Sequence, residues 1–191
     1  MRLILASASP RRRDLLRSAG IDFEVRPSQI VEEIQPGELP EEFARRAARE
    51  KATQVGASMP PGVLVLGADT VVVIDGQTLG KPSDPRDATR MLHLLSGQTH
   101  QVHTGICLVR APDAIEALKH ETTLVTFRDL DEEEIRQYVE SGEPGDKAGA
   151  YAIQGLASKF VTRISGCYSN VVGLPVALVY EILKKAESSR Q

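Results

Sequence analysis

Four stretches of this sequence carry residue types that could do chemistry. The first is Ser7-Ala8-Ser9-Pro10-Arg11-Arg12. Ser9 before Pro10 has the form of a helix start, serine at the N-cap and proline at the first helical position. A helix N-terminus offers unpaired N–H groups and the positive end of the dipole, so an anion fits there. The Ser7 hydroxyl and the guanidinium forks of Arg11 and Arg12 add donors suited to phosphate oxygens. The second is Gly67-Ala68-Asp69-Thr70, set between the apolar runs Val63 to Leu66 and Val71 to Ile74. A carboxylate there is costly to bury unless it is paired or bound to a metal. Gly67 permits a break in the strand or the close approach of a ligand.

The third group is scattered: Glu32 in a polar segment with Glu33 beside it, Lys51 in an alanine-lined helix, and Lys81 in Gly80-Lys81-Pro82. The fourth is the run Asp146 to Gly155, whose small residues allow close backbone contact with a ligand and whose Gln154 offers both a donor and an acceptor. Each has a plainer alternative: a capped helix with solvated arginines, an aspartate accepting backbone N–H groups at a bulge, solvated surface charges, a tight glycine-rich connector. Residue types alone leave those alternatives open.

Strands and helices alternate irregularly, which predicts a mixed α/β sheet rather than a strict βαβ repeat. Leu3 to Ala6 is a short buried strand feeding the Ser9-Pro10 helix, which ends at Gly20. Ile21, Phe23 and Val25 alternate with polar residues and predict a half-buried strand; Ser28 to Glu38 is loop. A helix runs from Pro40 to about Ala57, with Phe43, Ala44, Ala47, Ala48 and Val55 inward. The strand from Val63 is expected to be interrupted at Gly67 to Thr70 and to resume through Ile74, before a turn at Asp75-Gly76. Asp84-Pro85 starts a helix ending at Gly97. Two β segments, about Gln101 to Val109 and Ala117 to Phe127, precede a helix at Asp131 with Glu134 in capping-box position. Ser141 to Ser158 is a long binding-loop candidate. Phe160 to Ile164 is a further strand, and Pro175 opens a closing helix.

At 191 residues the chain suits one domain, or one domain with two lobes, without metal or disulfide staples. No apolar run reaches membrane-span length and no signal peptide is evident, so the expected location is the cytoplasm, with no membrane partner. Two cysteines, Cys107 and Cys167, lie far apart and are expected to be buried free thiols. Neither they nor the four histidines have zinc-site spacing, so any metal must be held by carboxylates, which points to Mg²⁺ or Mn²⁺. A formal charge of −3 argues against a nucleic-acid partner. P-loop, dinucleotide-binding and nucleophile-elbow motifs are absent from the sequence.

Together the motifs resemble those of the Maf family of nucleoside triphosphate pyrophosphatases along nearly the whole chain. The matching runs are Ser7 to Arg12, Arg49-Glu50-Lys51-Ala52, Gly67 to Thr70, Gly80-Lys81-Pro82, Ser96-Gly97, Asp146 to Gly155 and Val172-Gly173-Leu174-Pro175. The resemblance implies residues 1–191 as one Maf-like domain: an elongated, twisted mixed sheet flanked by helices, in two lobes with a central cleft, similar to the inosine triphosphate pyrophosphatases. It implies Asp69 as general base or metal ligand and Glu32 as the second acid, the two sharing Mg²⁺ or Mn²⁺. Ser7, Arg11, Arg12, Lys51 and Lys81 would then serve the phosphates. Arg12, Thr70 and Gln154 are similar to the selectivity positions of the subgroup acting on dTTP and UTP rather than of the 7-methyl-GTP subgroup. The implied function is hydrolysis of a pyrimidine or modified nucleoside triphosphate to monophosphate and pyrophosphate, clearing nucleotide pools, with a homodimer as the family-level expectation. The second implied function is a non-catalytic nucleotide sensor acting on septum formation. Two carboxylates beside a triphosphate favour the enzyme, because without a metal they would repel the substrate.

Overall fold

Residues 2–188 are described by a computed structural model. In chain order the strands are β1 (Leu3–Leu5), β2 (Glu24–Val25), β3 (Leu64–Ile74), β4 (Gln77–Leu79), β5 (Thr99–Arg110), β6 (Ala114–Phe127) and β7 (Val161–Ser165). The helices are α1 (Pro10–Ser18), α2 (Pro40–Gly56), α3 (Pro85–Leu95), α4 (Glu132–Glu140), α5 (Tyr168–Val172) and α6 (Val176–Ser188). The strands form one seven-stranded mixed sheet in the order β2-β1-β3-β5-β6-β7, with β4 paired to β3. β1 runs parallel to β2 and β3, whereas β4 pairs antiparallel with β3 and β7 with β6.

The chain divides into two compact units. One is built from the chain up to Thr70, Thr104–Glu121 and Gly173 onward; the other from Val71–His103 and Thr122–Val172. In the first unit both faces of the sheet are covered, so its strands are almost continuously apolar. Leu3, Leu5, Leu64, Leu66, Ala68, Ile106 and Leu108 pack with Leu16 of α1 and with Val179, Ile182 and Leu183 of α6. Their neighbours Ile4, Ala6, Val63, Val65, Cys107 and Val109 pack with Ala48, Ala52 and Val55 of α2. This two-residue alternation assigns each later side chain on a strand to one face.

In the second unit the core is aromatic. Phe127 and Tyr151 meet edge to face at 4.9 Å, and Tyr138 meets Phe160 in the same way at 5.2 Å. The sequence-expected helix starts hold. The Asp84 side chain accepts from the Asp87 N–H, and Asp131 with Glu134 closes a full capping box.

Three expectations change. Gly67 to Thr70 does not interrupt β3, which runs unbroken through Asp69. The strand predicted around Ile21 to Val25 pairs only at Glu24–Val25; Ile21 and Phe23 pack against the α1–α6 cluster without a ladder of their own. Ser9 stands at the N-cap of α1, but its side chain makes no capping bond; the Ser7 hydroxyl instead accepts from the Ser9 N–H at 3.3 Å. The long segment after α4 folds into three short 3-10 turns, Glu143–Asp146, Ala148–Ala150 and Leu156–Phe160. Cys107 is a buried free thiol and Cys167 a partly buried one.

Candidate active site

Lys51 falls in the buried stripe of α2, among Ala44, Ala47, Ala48, Ala52 and Val55. An ammonium in such a stripe needs a counter-charge. Two glycines let the helix come close enough to find one. A Cβ at Gly67 of β3 would fall 2.1 Å from the Ala48 carbonyl oxygen, and one at Gly105 of β5 would fall 2.1 Å from that of Ala44. The close approach that Gly67 permits is thus that of a helix. It brings Lys51 Nζ to 2.6 Å from Asp69 Oδ1. The same nitrogen stands 2.6 Å from Glu32 Oε1.

Asp69 is 5 % exposed and Lys51 7 %. Burial is the largest influence on Asp69 and pushes its carboxyl above the ordinary carboxylate value, and Glu32 pushes the same way; Lys51 and Arg12 pull against them. Of the adjacent acids, Glu32 supplies the carboxylate to Lys51, while Glu33 gives its backbone carbonyl to Arg46 at 2.7 Å.

Thr70, next along β3, faces the opposite side of the sheet, toward α1. There the buried Arg12 donates from Nε to Gly173 O at 2.8 Å, from Nη1 to Ser7 Oγ at 3.0 Å and Ala68 O at 2.8 Å, and from Nη2 to Thr70 Oγ1 at 3.1 Å. Thr70 Oγ1 also lies 2.9 Å from Thr104 Oγ1. Burial pulls Arg12 below its ordinary value, against Asp69 and Glu32; a guanidinium nevertheless stays charged. With one Nη2 hydrogen left beside these four bonds, Arg12 offers an anion its charge more than a bidentate fork. The Ala68 carbonyl is shared between the two faces, accepting from Lys51 Nζ at 3.4 Å and from Arg12.

Ser7, Arg12, Glu32, Lys51, Asp69 and Thr70 therefore gather in the first unit, and Arg11 lies on α1 beside them in sequence. Lys81 and Gln154 belong to the second unit. There the Gly149 N–H donates to Gly80 O at 3.0 Å, which ties the loop carrying Gln154 to the segment carrying Lys81. Gly149 has φ +68°, and a Cβ on it would fall 2.9 Å from Val72, so glycine is required there on both counts. Sequence reasoning assigned no role to Thr104 or Gly173. A threonine followed by glycine inside the apolar run of β5 was the one local signal for the former.

Among the described residues no group of three or more His, Cys, Asp or Glu side chains could hold a metal ion. Glu32 and Asp69 converge on Lys51 Nζ, which fills the position between them. By donor type the two carboxylates are hard oxygen ligands of the kind that hold Mg²⁺ or Mn²⁺ together with phosphates and water.

Fold and site define a mixed α/β protein in which a buried lysine–aspartate pair, joined by the exposed Glu32 carboxylate, stands beside a buried arginine. Residues 2–186 match the family described as Maf-like protein, and the chain belongs to that family. It is 52 % identical to a dTTP/UTP pyrophosphatase of Koribacter versatilis, over 97 % of this chain and 95 % of that protein. It is likewise 52 % identical to a dTTP/UTP pyrophosphatase of Syntrophomonas wolfei, over 95 % of each. Among solved structures, a HAM1 protein from Coxiella burnetii is similar at 20 % identity with a TM-score of 0.44, covering 66 % of this chain and 73 % of that one.

Proposed function

We propose that this protein is a nucleoside triphosphate pyrophosphatase that hydrolyses dTTP and UTP to the monophosphate and pyrophosphate. One observation carries the reading: near-full-length identity of 52 % to a protein of that name. The acid–lysine–acid centre supplies chemistry to match. Water attacks the α-phosphorus, a new P–O bond forms, and the bond to the β-phosphate's bridging oxygen breaks. Asp69, a stronger base than an exposed carboxylate because burial raises its pKa, takes the proton of the attacking water. Lys51 holds Asp69 and Glu32 at one place. Lys51, Lys81 and the arginines of α1 offset the charge of the departing pyrophosphate. Glu32 and Asp69 are the residues that would hold a Mg²⁺ or Mn²⁺ ion, which when bound offsets phosphate charge and acidifies water. Thr70, Arg12 and Gln154 are assigned to substrate selection, and the cytoplasmic nucleotide pool is the source of substrate.

Incubation with UTP or dTTP and either metal tests this, with pyrophosphate and orthophosphate measured separately. Pyrophosphate and monophosphate are the expected first products, and chelator abolishes their release. Orthophosphate appearing first places attack at the γ-phosphorus and overturns the assignment. Tight nucleotide binding without turnover makes the protein a sensor, and turnover confined to 7-methyl-GTP moves it to that specificity.

A further inference from the structure

Gln154 sits at the third position of a four-residue turn closed by the bond from the Gly155 N–H to Ala152 O at 3.0 Å. A side-chain amide discriminates between bases only if its orientation is held, because a flipped amide exchanges donor for acceptor. Two side chains outside the turn pin its backbone on both flanks. The Ala152 N–H donates to Tyr138 Oη at 3.2 Å. The Leu156 N–H donates to Glu143 Oε2 at 3.0 Å. Tyr138 Oη in turn donates to Glu143 Oε1 at 2.8 Å, which closes the network into one piece.

The base of this clamp is rigid. Tyr138 is 2 % exposed and its ring stands edge-on to Phe160 at 5.2 Å. The carboxylate also fills the space beside Gly155, where a Cβ would come within 2.2 Å of Glu143 Oε2. Gln154 itself is exposed, and the turn fixes the backbone position from which its side chain reaches.

We propose that Tyr138 and Glu143 are specificity-positioning residues, a clamp that fixes the turn bearing Gln154 and so sets discrimination between uracil and cytosine. The inference rests on the assignment of UTP as substrate. Neither residue touches the reacting atoms, so their loss changes substrate choice more than turnover.

Three variants test it, read by substrate ratio, amide exchange and thermal midpoint. Tyr138→Phe keeps the ring and removes the hydroxyl. Glu143→Ala removes the carboxylate. Glu143→Gln can still accept from Leu156 through Oε1 and donate to Tyr138 through Nε2. For Tyr138→Phe and Glu143→Ala the ratio of kcat/KM for UTP to that for CTP falls about tenfold. The change lies mainly in KM for UTP, and exchange of the Ala152 and Leu156 amide hydrogens accelerates. Glu143→Gln restores most of the ratio. If these two variants keep the wild-type ratio and merely melt at lower temperature, the pair is structural and the inference falls while the substrate assignment stands. If the wild type itself shows no preference for UTP over CTP, the substrate assignment falls and takes the inference with it.

Discussion

Lys51 Nζ lies 2.6 Å from Asp69 Oδ1 in a setting where each side chain is more than nine-tenths buried. The pair exists because α2 lies against β3 with no side chain between them at Gly67. Burial outweighs the ammonium's pull on the carboxyl, so Asp69 stays a stronger base than its ion pair alone would leave it.

Asp69→Asn keeps the shape and removes the charge. Turnover of UTP is expected to fall about 100-fold or more if Asp69 is the base. Because its folded-state pKa is raised, the ionised form opposes folding above that pKa, so the thermal midpoint at pH 7 should not drop. Near-full activity would move the base elsewhere, with Glu32 next in line.

Gly67→Ala tests the helix approach. The added Cβ must displace α2, since it would stand 2.1 Å from a backbone oxygen. Overpacking of this kind costs about 1–3 kcal/mol. A drop of several degrees in the midpoint should accompany at least a tenfold loss of kcat as Lys51 leaves Asp69. Gly145→Ala, where a Cβ meets nothing within 4 Å, serves as the control. Equal behaviour of the two variants would show that the helix contact is not limiting.

Gln154→Ala should lower kcat/KM for UTP and dTTP and narrow their advantage over CTP by about tenfold. Steady-state kinetics on the three nucleotides measure this. Equal losses on all three would reduce Gln154 to a shaping residue of its turn.

His100 gives the fold an acid limit. It is buried, its Nε2 lies 2.8 Å from the Tyr151 hydroxyl, and burial lowers it from 6.5 to about 4. The unfolded chain therefore takes up the proton first as pH falls. Stability is fully present above about pH 6.5 and is lost progressively down to about pH 4, by on the order of 3 kcal/mol. Denaturant unfolding at several pH values should show a shallower loss over that window for His100→Gln. A slope identical to wild type would remove His100 as its source.

Much of this was legible in the amino-acid sequence. The continuous apolar runs of β1 and β3, the Asp84 and Asp131 helix caps, and the alanine stripe around Lys51 are local patterns with local causes. Each needs only neighbours within a few residues, so periodicity and capping chemistry carry them. The order of the short motifs carried the family. What only the tertiary structure decided involves partners distant in sequence. β3 runs straight through Asp69 because Lys51, on another element, meets the carboxylate's charge and removes the need for a bulge. Glu32 rather than Glu33 faces the site because the segment turns the Glu32 carboxylate to the Lys51 ammonium while the Glu33 carbonyl is held by Arg46. Arg12 gives most of its donors to Ser7, Ala68, Thr70 and Gly173 rather than leaving them for a ligand. The turn bearing Gln154 is pinned by Tyr138 and Glu143 through bonds whose lengths no local pattern encodes. Periodicity fixes which face a side chain occupies; which charge or donor waits on that face depends on how separate elements pack.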